Sequence, residues 1–64
     1  MDWTMMRRLD PAILLGIVNE KLRLECSDLE ELSATYELDV QQLHNQLAAI
    51  GYRYDATTNQ FRLH

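Results

Sequence analysis

At Gly51 the spacing of apolar residues changes from a helical repeat to the alternation of a strand, and this switch limits the folds open to the chain. Before it, Val40, Leu43, Leu47 and Ile50 recur three and four residues apart, one face of a helix that turns ~100° per residue. After it, Tyr52 and Tyr54 flank Arg53, and Phe61 and Leu63 flank Arg62, the period of two of half-buried strands. Asp55-Ala56-Thr57-Thr58-Asn59 joins the two runs, with Asn59 suited to the positive φ that such a turn needs. The expectation is a helix over 40–50, a left-handed glycine cap, and a hairpin near 52–63.

Two further helices precede this unit. Asp10-Pro11 is a strong start, because the carboxylate accepts from free backbone N–H groups while proline lacks a donor where none is needed. A helix over 11–25 follows, with Leu14, Leu15, Val18 and Leu22 as its wide apolar stripe. Ser27-Asp28-Leu29-Glu30 reads as a capping box, Ser27 paired with Glu30, opening a helix over 28–36 that faces inward through Leu29, Leu32 and Tyr36. Tyr36-Glu37-Leu38 is the connection, and Asp39 caps the next helix. Residues 1–9, with Trp3, Met5 and Met6, show neither period and read as an N-terminal arm beside a single domain over 10–64. The fold class is mostly α with a small β-hairpin: a three-helix domain with a C-terminal two-stranded wing. Asn19, a poor helix former in mid-helix, is expected to clamp another element through its amide.

A 64-residue domain buries only ~60% of the surface its unfolded chain exposes, so its stability is marginal without help. Cys26 is the single cysteine, which excludes an internal disulfide and suits a reducing cytoplasm. Cys26, His44 and His64 lie at spacings unrelated to any paired-ligand pattern, so no metal is expected. Association with another chain is the remaining common way to stabilise so small a core. The apolar run Ile13–Val18 is broken by Gly16 and is too short for a membrane span, which needs ~20 residues.

Catalysis finds little foothold. Cys26 precedes a run of acids that disfavours a thiolate. His44 borders an apolar stripe as a half-buried boundary residue, and Glu30 and Glu31 diverge by ~100° rather than converging. No phosphate loop or nucleophile elbow occurs. The expectation is therefore a non-catalytic protein with no cofactor, no metal and no small-molecule substrate.

Two binding readings stand. Beyond Lys21, Ile13, Ile17 and Leu24 form a second, narrower stripe on the first helix. It either lies under the hairpin or forms a face for a protein partner or a second copy. The alternative is nucleic acid, read by Gln41, Gln42 and Asn45 on the third helix and gripped by Arg53 and Arg62 on the hairpin. Against it, that helix carries no Lys or Arg, and ten acids oppose six Lys and Arg for a net charge of −4. A protein partner or homodimer is the favoured expectation.

From Ser27 onward, Glu31-Leu32-Ser33-Ala34, Leu38-Asp39-Val40, Leu47 and Ile50-Gly51-Tyr52 resemble the helix-turn-helix and wing of winged-helix domains. A second likeness covers nearly everything after residue 9. Asp10-Pro11, Leu14-Leu15, Val18-Asn19, Lys21-Leu22-Arg23, Ile50-Gly51-Tyr52, Tyr54-Asp55 and Asn59-Gln60-Phe61 resemble a family of short bacterial proteins known only as a domain of unknown function. That resemblance implies a bacterial cytoplasmic source and a compact standalone domain, and it brings no activity or catalytic residue with it.

Overall fold

The structure, a computed structural model, describes residues 3–64. In chain order it contains α1 (Trp3–Met6), α2 (Pro11–Leu24), α3 (Leu29–Tyr36), α4 (Val40–Ala48), β1 (Tyr52–Asp55) and β2 (Gln60–Leu63). The three expected helices are α2, α3 and α4, and the arm supplies the additional turn α1.

α2 starts as its sequence requires, with Asp10 accepting from the Ala12 N–H at 2.9 Å and Pro11 in the first turn. Lys21 and Arg23 lie in its last turn, where the helix dipole favours positive charge. The cap of α3 sits one residue later than expected. Asp28, not Ser27, accepts from Glu31 N–H at 2.7 Å, and the Glu31 carboxylate, not that of Glu30, reaches back to the Ser27 N–H at 2.7 Å. An ionised carboxylate is a stronger acceptor than a hydroxyl, and the pairing leaves Leu29 and Leu32 buried. α3 ends at Glu37, whose φ of 52° is left-handed, and the next residue, Leu38, is buried in the core.

Asp39 caps α4 by accepting from Gln42 N–H at 3.1 Å. At the other end the chain tightens to three-residue bonds, from Ile50 N–H to Leu47 O and from Gly51 N–H to Ala48 O, and Gly51 takes a φ of +87°. This tightening turns Ile50 out of the helix and out of the Val40–Leu43–Leu47 face; it is exposed, against the expectation that it lies inward. The antiparallel hairpin pairs Tyr52 with Leu63, Arg53 with Arg62, Tyr54 with Phe61 and Asp55 with Gln60. Phe61 is buried, and Tyr52 and Tyr54 are half-buried against the core. Leu63 departs from the alternation: it is 70% exposed, with one methyl close to Gly51.

Three side-chain amides fasten the hairpin to α2. Asn19 donates from Nδ2 to Phe61 O at 3.1 Å and accepts the Phe61 N–H on Oδ1 at 2.7 Å, so one amide takes the place of a neighbouring strand along β2. Gln60 Nε2 donates to Asn19 O at 2.9 Å. Asn59, at φ 55°, donates to Leu22 O and Cys26 O at 2.9 and 3.0 Å and accepts from the Tyr54 hydroxyl at 2.7 Å. The hairpin turn thereby completes the carbonyl end of α2, which would otherwise carry unpaired acceptors.

α1 docks on α4. Trp3 and Met6 are buried in the core, the Trp3 indole N–H donates to Gln42 Oε1 at 3.2 Å, and Gln46 Nε2 donates to Arg7 O at 2.7 Å. Among the described residues, no helix is long and apolar enough to cross a membrane.

Candidate functional site

α2 turns its two stripes to different surroundings. Leu14, Val18 and Leu22 are buried, and Asn19 on the adjoining flank meets the hairpin. At ~100° per residue, Ile13 and Leu24 lie roughly 120–140° around the helix from Asn19, away from the hairpin. They are 55% and 64% exposed, the most open large apolar side chains on this helix. Ile17, between them, is partly buried against the core. The hairpin therefore leaves the second stripe uncovered at both ends. Gly16 borders the stripe, and a side chain added there would meet no atom within 4 Å. A mid-helix glycine costs ~1 kcal/mol relative to alanine. Among the described residues, no contact calls for a glycine there.

A polar network borders this face. Lys21 Nζ donates to the Tyr36 hydroxyl at 3.1 Å and lies 4.5 Å from the ring centre. The Tyr36 hydroxyl donates to Glu25 Oε1 at 2.6 Å, and Lys21 Nζ is 3.6 Å from Glu25 Oε2. The Tyr36 contact, aided by Lys21, holds the Glu25 carboxyl below the ordinary carboxylate value. The same hydroxyl, with Glu25 behind it, raises the Lys21 ammonium above the ordinary lysine value. Because the Glu25 pKa is depressed by folding, its contribution is present above its unfolded value and lost as pH falls through the folded one. Because the Lys21 pKa is raised, its contribution is present below its unfolded value and lost as pH rises through the folded one. Tyr36→Phe, which removes the bridge, is expected to lower the thermal midpoint at neutral pH by a larger margin than at either extreme. Melting curves across pH check this, and a margin independent of pH overturns it.

The residues of the nucleic-acid alternative are divided. Gln41 and Asn45 are exposed but bonded to each other, Gln41 Nε2 donating to Asn45 Oδ1 at 3.2 Å. Gln42 is occupied by Trp3. Arg53 and Arg62 are exposed and directly opposed on the hairpin, lining an open cleft of about 330 Å³ with Tyr54, Asp55, Leu63 and His64. His64 had no periodic neighbour to mark it, whereas the Arg53–Arg62 pair follows from the alternation once the turn is placed.

The other singled-out residues have structural partners. His44 is half-buried with its ring edge-on to Phe61, centroids 5.6 Å apart. Cys26 is buried, and that burial, with the charges of Glu31 and Glu25, pushes its thiol pKa up. No group of three His, Cys, Asp or Glu able to hold a metal occurs among the described residues.

The architecture and these surfaces define a mostly α-helical domain closed by a small β-hairpin. The chain belongs to the family described as domain of unknown function DUF4250, whose model matches residues 8–61. No curated protein and no solved structure matches it. The matched segment begins after α1 and ends on Phe61, the residue that Asn19 grips.

Proposed function

We propose that the protein is a non-catalytic interaction module that pairs with a second copy of itself through the uncovered flank of α2. The observation that carries this reading is the exposure of Ile13 and Leu24 on the side of the helix that the hairpin leaves open. Ile17 continues the stripe inward, so a partner would meet a surface continuous with the core. Gly16 supports the same reading, since a residue without a side chain lets another helix approach closely at a point where intrachain packing makes no such demand. A helix pair also suits a small domain that lacks an internal disulfide.

Two half-exposed side chains per copy supply only ~1–2 kcal/mol each, so the association is expected to be weak and reversible. Sedimentation velocity from ~10 µM to ~1 mM should show a monomer converting to a dimer as concentration rises. Ile13→Glu combined with Leu24→Glu should remain monomeric throughout, with an unchanged helical spectrum and thermal midpoint. These positions are chosen because both are exposed; Ile17→Glu would test the core as well as the face. A wild-type chain that stays monomeric at the highest concentration overturns the proposal.

Nucleic-acid binding has less support. Only Gln41 and Asn45 of its three base-reading candidates are exposed, and α4 offers no cation beside them.

A further inference from the structure

We infer that the outer face of the hairpin binds a single phosphate-class oxyanion, inorganic phosphate or a phosphomonoester, between Arg53 and Arg62. These two residues are direct cross-strand partners. Like charges placed opposite one another destabilise a strand pair, yet here both guanidinium-bearing residues are exposed and neither has a carboxylate within ion-pair distance among the described residues. Lys21–Glu25 is the one ion pair among the described residues. Asp55, the acid that lines the same cleft, is turned to the loop and accepts the Thr57 N–H at 2.9 Å. The hairpin thus concentrates two positive charges on a chain whose net charge is −4, with the Asp55 carboxylate in the same cleft but ion-paired to neither.

Two planar guanidinium forks suit a tetrahedral dianion, because each fork can give paired charge-assisted hydrogen bonds to different oxygens of one group. The cleft of about 330 Å³ leaves room for a substituent on that group, with Leu63 and His64 among its lining residues. A nucleic-acid strand fits less well. It needs a track of cations spaced along successive phosphates, and the neighbouring α4 carries no Lys or Arg.

The test is a titration followed by backbone and arginine side-chain NMR signals, adding inorganic phosphate or phenyl phosphate, with chloride at matched ionic strength as the control. Saturable shifts confined to residues 53–55 and 62–64 are expected for both phosphates. Arg53→Gln and Arg62→Gln should each weaken binding by about 10-fold or more. Arg53→Lys, which keeps the charge but loses the fork, should fall between wild type and Arg53→Gln. Arg23→Gln, at an exposed position of α2, should leave binding unchanged. In phosphate-free buffer Arg62→Gln should melt no lower than wild type, whereas a residue with only a structural role would lower it. Tighter binding of phenyl phosphate than of inorganic phosphate would place its ring in the cleft, while equal affinities would mean that the oxyanion alone is recognised; either supports the site. Shifts reproduced by chloride, affinity unchanged in both glutamine variants, or saturable binding of duplex DNA that phosphate does not displace each overturns the inference.

Discussion

Asn19→Asp is expected to lower the stability of this domain by ~3 kcal/mol or more at neutral pH, enough to unfold much of the population. A 64-residue domain has roughly 3–10 kcal/mol in total. The substitution keeps the oxygen that accepts the Phe61 N–H but replaces the Nδ2 that donates to Phe61 O with a second oxygen, so a charged acceptor faces a carbonyl. Only the protonated form of the introduced carboxyl could donate there. Its pKa in the folded state is therefore raised, and the stability deficit should be smallest below the unfolded value of ~3.9 and grow as pH rises through the folded value. Asn19→Ala should cost ~2–4 kcal/mol with no such dependence, because it strips both backbone groups of Phe61 of their partner. Urea unfolding at acid and neutral pH separates the two. An Asn19→Asp deficit that does not shrink on acidification would refute this assignment of the amide.

Trp3→Ala should cost ~3–5 kcal/mol, the range for truncating a large aromatic side chain in a core. Trp3 stands outside the segment matched by the family model, yet its ring is buried and its N–H holds Gln42. Thr4→Ala, one residue along on an exposed position, should be close to neutral. Circular dichroism with urea measures both without relying on the indole that the variant removes. A Trp3→Ala cost below ~1 kcal/mol would show that α1 adds little to the core.

The helices and hairpin were legible because their ends carry side chains with one dominant local use. Asp10-Pro11 and Asp39 cap helices, Gly51 takes a positive φ, and Asn59 closes the turn. The cap of α3 was misplaced by one residue because Ser27 and Asp28 both satisfy the local pattern, and the choice between them depends on acceptor strength and on which leucines must face inward. α1 was not legible at all, since four residues are too few to show a period, and its position is set by contacts with α4 some forty residues away. The same distance hid the occupation of Gln42. On α2 the second stripe was visible, but its division into exposed Ile13 and Leu24 and half-buried Ile17 depends on where the hairpin lands. Asn19 announced itself as a clamp; only the structure names Phe61 as what it holds.

The side-chain bonds that close this domain join residues far apart in sequence. Trp3 meets Gln42 across 39 residues, Asn59 meets Leu22 across 37, and Asn19 meets Phe61 across 42. Each contact closes a long loop, whose entropy is lost before the bond forms, so the domain is expected to fold more slowly than a helical bundle of equal length. Such long-range bonds give no local route to opening at the middle of β2. The Phe61 amide hydrogen, held by a side chain on α2, should therefore exchange with solvent at the rate set by unfolding of the whole domain. Edge-strand amides usually exchange through fraying; here a helix denies that escape to one of them.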